Sequence, residues 1–459
     1  MGSEGDGTVE NPINREPDMK HLVQSFLTPS KDQESSQPQA YDRNHGPIQH
    51  IDASTHKVTI KSDSSPPTTS TSTPNVVRKR GLDDLALVLT VDDLRSKFTQ
   101  HTVTCALQCA GNRRHELRSR VKEVSGVDWG DGAVMNAEWT GPLLRDVLIS
   151  AGLSDHEHEH EDEKKYDGLH VQMECNATKV QDDEWYGSSV PLAVAMDRER
   201  EVILALETRF PPDRPEGGGG GGGGGVGVIL MNGGPLPARH GAPVRSIIPG
   251  IIGARSVKWL DTIVISSRES QNHYQQHDYK ILPPAATSPE RAEELGVWDS
   301  TPAMQDNPIN SVVAVPANDG DTLTRDSRSR VRIAGYAIPQ GKDGPVEKVE
   351  VSIDKGRTWV EARLLDDGDE NTTHPSNMHK DRPRGKFSWV LWEVEIEVGK
   401  DGPRTKEDEG EGEGVSVDIW SKATDRGGNT MKEDQPEGDW NLRGVGYNAV
   451  QGRTGVRIL

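Results

Sequence analysis

Helical and strand signals alternate in the first part of the chain. Thr90-Val-Asp-Asp93 has the form of a capping box and stands directly before LRSKF, which predicts a helix start. Apolar residues at three- and four-residue spacing run from Leu143 to Ala151 and end at Gly152, which predicts a second helix. The short apolar run EVILALE (201–207) indicates a strand. This pattern predicts a mixed α+β domain.

From Val331 onward, nearly every patterned segment has strand character. VEVSID (349–354) and TWVEARLL (358–365) flank a Lys355-Gly356 turn, and this arrangement predicts a hairpin. Further strand signals, each bounded by turn residues, are VRIAGYAI (331–338), FSWVLWEVEIEV (387–398) and GVSVDIW (414–420). Such spacing is typical of a β-sandwich, so we predict an α+β domain followed by a sandwich.

Polar or low-complexity segments interrupt this pattern. They are the polar N-terminal segment 1–40, the Ser/Thr/Pro tract 62–75, the His/Glu tract 156–165 and the glycine-rich stretch 211–227. The last three cannot bury enough apolar surface to fold and are interpreted as loop insertions. The His/Glu tract is more typical of a solvated loop than of a metal site, and no GK[ST] sequence follows the glycines to make a phosphate loop. The expected domains are 41–285 and 286–459.

Composition limits the partners and the compartment. The formal net charge of −20 argues against nucleic acid or an anionic membrane as a partner, and an anionic substrate would need a local basic pocket. Three cysteines, an odd number, favour a reducing compartment. Neither a targeting signal nor a bilayer-spanning segment is evident. We therefore expect a cytoplasmic protein, with the peroxisome as the alternative although the C-terminal GVRIL is unlike SKL.

The stretch TCALQCAGNRR (104–114) carries the most suggestive chemistry. In one interpretation, Cys109 is a small buried hydrophobe and Arg113 and Arg114 make surface ion pairs. In the other, a thiolate binds a transition metal while the guanidinium groups bind an oxyanion. Cys105 and Cys109 alone do not favour zinc, because no second Cys or Cys/His pair follows at zinc-site spacing.

Six blocks decide between these interpretations. They are YDRNHGPI (41–48), QCAGNRR (108–114), ARHGAPVR (238–245), IPGIIGARSVKWL (248–260), HDYK (277–280) and WNLRGVGYN (440–448). Together they resemble the eukaryotic sulfite oxidase family, in the family's order, from about residue 14 to residue 450. The resemblance implies a molybdenum-molybdopterin domain at 41–285 and an immunoglobulin-like dimerisation domain at 286–459.

The resemblance also implies roles for individual residues. Cys109 would be the protein's thiolate ligand to molybdenum. The residues that would hold the pterin and its phosphate are Arg43, Asn44, His45, His240, Arg245, Ser256, Val257 and Lys258. Those that would surround the anionic substrate are Arg43, Arg114, Tyr279 and Arg443. One position departs from the family: Ala177 stands where an aspartate contacts the pterin, so either a neighbour such as Asn176 supplies that bond or it is missing.

By resemblance, the expected activity is oxidation of sulfite to sulfate by oxygen-atom transfer in a homodimer, without haem. Electrons would pass to oxygen or to an unidentified protein. A nitrate reductase is the nearest competing function. In the pattern that resembles nitrate reductases, WN is followed by an apolar residue and then Met, whereas this chain has Arg443 at the Met position. The sequence is also compatible with an S-oxide reductase and with a non-catalytic relative that keeps the fold.

Overall fold

The computed structural model describes most of the chain. The described residues are 5–24, 26–28, 40–63, 85–154, 166–206, 236–365, 385–399, 414–433 and 440–459. The predicted insertions 156–165 and 211–227, and the tract 62–75 beyond residue 63, lie outside them. No helix within the described ranges has both the length and the apolar character needed to cross a bilayer.

The first domain is built around a mixed five-stranded sheet. Its strands are β1 (Lys57–Ser62), β2 (Ala86–Thr90), β3 (Gln100–Gln108), β4 (Val134–Pro142), β5 (His170–Cys175), β6 (Tyr186–Pro191), β7 (Ile203–Leu206), β8 (Val244–Ile247) and β9 (Thr262–Ser266). The large sheet has the order β2-β1-β9-β5-β6, and β3-β4 and β7-β8 form two antiparallel pairs. β1 and β9 are parallel, and the other neighbours in the large sheet are antiparallel.

Short α-helices accompany the strands, together with 3-10 turns at Arg198–Arg200, Ala238–His240 and Gly253–Arg255 and a π-helical turn at Tyr274–Asp278. The α-helices are α1 (Met19–Leu22), α2 (Val91–Ser96), α3 (Arg114–Arg120), α4 (Leu144–Ser150), α5 (Leu192–Met196), α6 (Pro289–Glu294) and α7 (Val297–Ser300). The predicted capping box is confirmed, since Thr90 Oγ1 accepts from Asp93 N at 3.1 Å and Thr90 N donates to Asp93 Oδ2 at 3.0 Å. The stripe ending at Gly152 forms α4, whose leucines are buried in the same core as β1 and β5.

The second domain is the predicted β-sandwich. Its strands are β10 (Asn310–Val315), β11 (Thr322–Leu323), β12 (Arg330–Ile338), β13 (Val346–Ser352), β14 (Val360–Glu361), β15 (Arg363–Leu365), β16 (Val390–Glu397), β17 (Val415–Asp425) and β18 (Gly452–Ile458). One sheet has the order β10-β12-β16-β15 and the other β11-β18-β17-β13-β14. Alternating burial along β17 shows the expected apolar-inward face.

The predicted strand 358–365 is wrong as a single element. The turn at Lys355 and Gly356 is confirmed by positive φ angles of 59° and 79°, and Val351 pairs with Val360 across it. After Ala362 the chain passes to the opposite sheet, where Leu365 pairs with Leu391. Burial explains the crossing, because Leu365 is 9% exposed there whereas Val360 on the first sheet is 41% exposed.

Candidate functional site

Loops that follow several strands of the first domain enclose a cavity. Nine of the residues chosen from the sequence line it: Arg43, Asn44, His45, Cys109, His240, Arg245, Ser256, Lys258 and Tyr279. Residues that the sequence interpretation did not select also line it, among them Tyr41, Met135, Thr178, Tyr186 and Trp259. Residues from five of the six blocks therefore converge on one place, whereas Arg114 and Arg443 are not part of the lining.

Cys109 is the residue immediately after β3. Its N–H donates to Ala133 O at 2.9 Å, which holds it at the cavity wall with 6% exposure. Cys105 and Cys175 are fully buried outside the cavity lining, and burial raises the pKa of each thiol to about 12. Among the three cysteines, Cys109 is the one placed to ligate a group bound in the cavity.

His45 and Tyr279 form a hydrogen-bonded pair at one side of the cavity. His45 Nε2 lies 2.8 Å from Tyr279 Oη, and the imidazole packs 4.0 Å from the Tyr274 ring, measured between centroids. Burial, followed by the positive charge of Arg43, lowers the pKa of His45 well below its usual value. Burial raises the pKa of Tyr279. Both rings are therefore neutral at neutral pH, and the phenol keeps its proton for donation.

A second side of the cavity is rich in cations. Lys258 Nζ donates to Arg239 O at 2.6 Å, Asn44 Oδ1 at 2.8 Å and Arg43 O at 3.2 Å. Arg245 donates to the main-chain oxygens of His240 at 2.8 Å and Ser256 at 3.1 Å. These bonds engage all three hydrogens of the Lys258 ammonium, whereas the Arg245 guanidinium keeps further N–H donors for a bound group.

Several buried polar atoms at the site have no hydrogen-bond partner within the described part of the chain. They are both ring nitrogens of His240, Nε of Arg245 and Nε of Arg443, although His240 Nδ1 faces Asp42 Oδ1 at 3.6 Å, beyond hydrogen-bond distance. Buried polar groups are nearly always hydrogen-bonded, so atoms of this kind mark the place of an additional polar ligand. The donor set suits an anionic, phosphate-bearing cofactor.

Val257 differs from the other predicted cofactor residues. Its side chain is fully buried in the apolar core, and its N–H donates to Ser246 Oγ at 2.8 Å. It does not line the cavity, unlike its neighbours Ser256 and Lys258. The structure therefore gives Val257 the role of fixing the backbone between them.

Arg114 and Arg443 lie next to each other beside the cavity. Arg114 Nε donates to Arg443 O at 3.0 Å, and Arg443 Nη2 lies 2.6 Å from Asp278 Oδ1, the residue before Tyr279. Burial, reinforced by the charge of Arg443, lowers the pKa of Arg114 to about 10, while the nearby Cys109 and Tyr279 oppose this shift. Arg114, Arg443, Arg43 and Tyr279 thus form one electrostatic cluster next to the cysteine.

Sequence comparison identifies the two domains. Residues 45–218 and 228–274 match the family described as "Oxidoreductase molybdopterin binding domain". Residues 301–451 match the "Mo-co oxidoreductase dimerisation domain". Sulfite oxidase of Arabidopsis thaliana is 31% identical over 440 residues, which cover 95% of this chain and 90% of the relative. The chain belongs to the sulfite oxidase family.

Two further comparisons agree with the family and the fold. Mitochondrial sulfite oxidase of Homo sapiens is 35% identical over 441 residues, 96% of this chain, and the chain spans 63% of that relative's length. The sulfane dehydrogenase SoxCD of Paracoccus pantotrophus has the same fold, with a TM-score of 0.62 at 19% identity over 94% of this chain and 82% of that one. The predicted α+β domain followed by a β-sandwich is thereby confirmed.

The family position occupied by Ala177 has a local explanation. Asn176, the suggested substitute, is exposed and donates to Asp261 Oδ1 at 2.8 Å from its side chain and to Asp261 Oδ2 at 2.6 Å from its backbone. Asn176 therefore does not serve the cavity. Thr178, one residue beyond Ala177, lines it instead. Its hydroxyl donates to Lys179 O at 3.0 Å and keeps acceptor capacity toward the cavity.

Arg113 is not the surface residue that the first interpretation suggested. It is 1% exposed, pairs with Glu116 at 2.6 Å and donates to Asn310 Oδ1 of the sandwich at 2.8 Å. Its φ angle of 65° lies in the left-handed region, which a non-glycine residue occupies only when surrounding contacts hold it there. Arg113 therefore locks the cysteine loop of this family member against the second domain.

Lys258 provides a test of the site's electrostatics in cofactor-free protein. Burial lowers its pKa from the ordinary 10.5 to about 7. Between these two pH values Lys258 is protonated in the unfolded chain but largely neutral in the folded protein. The free energy of unfolding therefore rises with pH in this range. In Lys258→Met the free energy of unfolding should rise less steeply between pH 7.5 and 9.5, by up to about 1.4 kcal/mol per pH unit. Denaturant unfolding at a series of pH values measures this slope. Superimposable wild-type and variant profiles would contradict the depressed pKa.

Proposed function

We propose that this protein oxidises sulfite to sulfate with a molybdenum-molybdopterin cofactor and passes the electrons to an external acceptor. One observation carries the proposal: Cys109 lines a cavity next to the cluster of Arg43, Arg114, Tyr279 and Arg443. A soft thiolate beside several fixed cations provides a metal ligand and an oxyanion pocket in one place.

The residues present fit the cofactor. Cys109 would ligate the metal, while His240, Arg245, Ser256 and Lys258 would hold the pterin and its phosphate. Arg245 Nε is a partnerless donor that such a ligand would satisfy, and the neutral His240 ring can donate from one of its two nitrogens. When bound, the cofactor supplies the oxygen-atom transfer and the change in metal oxidation state.

The protein's own contribution is to bind and orient the anion. A chain with net charge −20 repels a dianion at long range, so clustered arginines are needed to attract it locally. Arg114 is 5% exposed, and its partly desolvated charge acts on the anion more strongly than a surface charge would. Tyr279 retains its phenolic proton, so its hydroxyl can donate a hydrogen bond to a substrate oxygen.

The assay of purified, molybdenum-loaded protein tests the proposal directly. We expect sulfite-dependent reduction of an artificial acceptor such as ferricyanide. Nitrate or an S-oxide with a reduced viologen dye should support at most a small fraction of that rate. Faster reduction of nitrate or of the S-oxide would establish the corresponding reductase, and loaded protein inactive in all three assays would indicate a non-catalytic relative.

The assembly, electron acceptor and compartment belong to the same proposal. The match of residues 301–451 to a dimerisation domain supports a homodimer, so light scattering should give about twice the chain mass of 50.2 kDa. We propose oxygen or a separate protein as the electron acceptor. We also propose that the chain binds no haem, so the purified protein should lack a haem absorption band.

We propose a cytoplasmic location, with the peroxisome as the alternative. Imaging of a tagged chain would distinguish the two compartments.

A further inference from the structure

The polar N-terminal segment contains a strap, residues 12–24 and 26–28, that lies across both domains. Arg15 and Asp42 exchange backbone hydrogen bonds of 2.9 and 3.0 Å, which places the strap beside the cavity loop. Further along, Phe26 O accepts from Trp389 Nε1 of the sandwich at 2.7 Å. Leu22 is 1% exposed and packs in an apolar cluster with sandwich residues. The strap is therefore fastened at both ends.

Asn14 connects the strap to one wall of the cavity. It is 8% exposed, and its Oδ1 accepts from Arg43 Nη1 at 3.2 Å and from Asn44 N at 3.1 Å. Its neighbour Ile13 accepts from Asn44 Nδ2 at 2.8 Å, which leaves Asn44 Oδ1 facing Lys258 Nζ. The orientation of three predicted cofactor-binding side chains thus depends on two consecutive strap residues.

Glu16 connects the strap to the wall that carries the cysteine. Its two carboxylate oxygens accept from Gly130 N at 2.9 Å and Gly132 N at 2.6 Å. The next residue of that loop, Ala133, accepts the backbone N–H of Cys109 at 2.9 Å. The close fit requires glycine, since a Cβ at residue 132 would lie 2.9 Å from Pro17 O and 3.0 Å from Glu16 Cγ. The carboxylate therefore fixes the position of the loop whose residue Ala133 accepts the hydrogen bond from Cys109.

We propose that Asn14 and Glu16 are positioning residues. Together they fix the distance between the side of the cavity formed by Arg43 and Asn44 and the side that carries Cys109. The inference rests on the proposed cofactor. Neither residue lines the cavity, so each acts through the groups it holds: Asn14 through Arg43 and Asn44, and Glu16 through the loop under Cys109. Holding a ligand's two contact surfaces at a fixed separation lowers the cost of binding it.

The test compares molybdenum retention in Asn14→Ala, Asn14→Asp and Glu16→Gln with the wild type. Loss of one charge-assisted hydrogen bond weakens binding about tenfold to a hundredfold, so Asn14→Ala should release molybdenum at least about tenfold faster during dialysis. Asn14→Asp retains an acceptor oxygen for Arg43 and Asn44 but loses the Nδ2 donation to Pro12 O at 3.1 Å, so its molybdenum release should be slower than that of Asn14→Ala. Glu16→Gln keeps one acceptor and should be intermediate. Lys20→Ala, an exposed change in the same strap, should have no effect.

A thermal readout separates positioning from general stability. The rise in unfolding temperature on cofactor loading should shrink in Asn14→Ala, because ligand stabilisation follows affinity. The inference would be overturned if Asn14→Ala lowered the unfolding temperature equally in loaded and cofactor-free protein. It would also be overturned if soluble Asn14→Ala and Glu16→Gln retained molybdenum as well as the wild type. Should Asn14→Ala not fold, Asn14→Ser takes its place under the same criteria. Wild-type protein that binds molybdenum but does not oxidise sulfite overturns only the proposed reaction, whereas wild-type protein without molybdenum overturns both.

Discussion

Replacing Cys109 with serine should abolish sulfite oxidation while leaving the fold intact. The side chain follows β3 at the cavity wall, where a hydroxyl of similar size causes little strain. A hydroxyl is a hard and weakly acidic group, so it cannot replace a thiolate as ligand to a soft metal centre. We expect activity to fall to the assay background, measured with sulfite and ferricyanide on protein of known molybdenum content.

Cys105→Ser is the matched control for this experiment. Cys105 lies in β3, the strand that ends just before Cys109, and packs in the same apolar cluster, but it does not line the cavity. Its serine variant should lose stability, because it buries a hydroxyl among apolar groups, yet retain the turnover of the wild type per bound molybdenum. Full activity of Cys109→Ser at normal molybdenum content would rule out ligation by this thiolate.

The fold was largely predictable because its signals are local. The capping box at Thr90, the α4 stripe and the strands after Val331 each depend on residues within one element, and all except the predicted strand 358–365 are present in the structure. The division of residues 358–365 between two sheets was not predictable. It depends on the burial of Leu365 against β16, a contact between segments that are distant in the chain.

The site was predictable only where family motifs mark it. Cys109, Lys258 and Tyr279 lie in such blocks and converge on the cavity. Asn14 and Glu16 were missed because a polar segment ordinarily stays in solvent, and their partners lie from about 29 to 116 positions away in sequence. The apolar residues at 22, 23 and 26 were the available signal, because they predict that one side of the segment is buried.

Arg443→Met should weaken recognition of the anion more than it weakens the fold. The substitution removes a positive charge and a fork of donors but keeps a long flexible side chain. Arg443 is 25% exposed at its side chain, so its loss leaves no large cavity. A charge-assisted hydrogen bond contributes roughly 1.5–3 kcal/mol, and kcat/KM for sulfite should therefore fall by about one to two powers of ten.

The ion pair with Asp278 adds a second expected effect. Burial alone would raise the pKa of Asp278, but the hydrogen bond from His273 and the charge of Arg443 hold it below the usual value. Removing Arg443 should raise this pKa, so the carboxylate next to Tyr279 becomes protonated at a higher pH than in the wild type. The variant's activity should consequently change at a higher pH than that of the wild type, in a range where the wild-type profile is still flat.

Arg443→Lys and Asp278→Asn separate charge from geometry. Arg443→Lys keeps the positive charge without the planar fork, so kcat/KM should lie between the wild type and Arg443→Met. Asp278→Asn removes the carboxylate that competes with substrate for Arg443, so its sulfite KM should not rise as it does in Arg443→Met. All rates are compared at matched molybdenum content and fixed ionic strength, because salt screens anion attraction. Unchanged kcat/KM in Arg443→Met would remove Arg443 from the pocket and with it the main residue-level reason for preferring sulfite to nitrate.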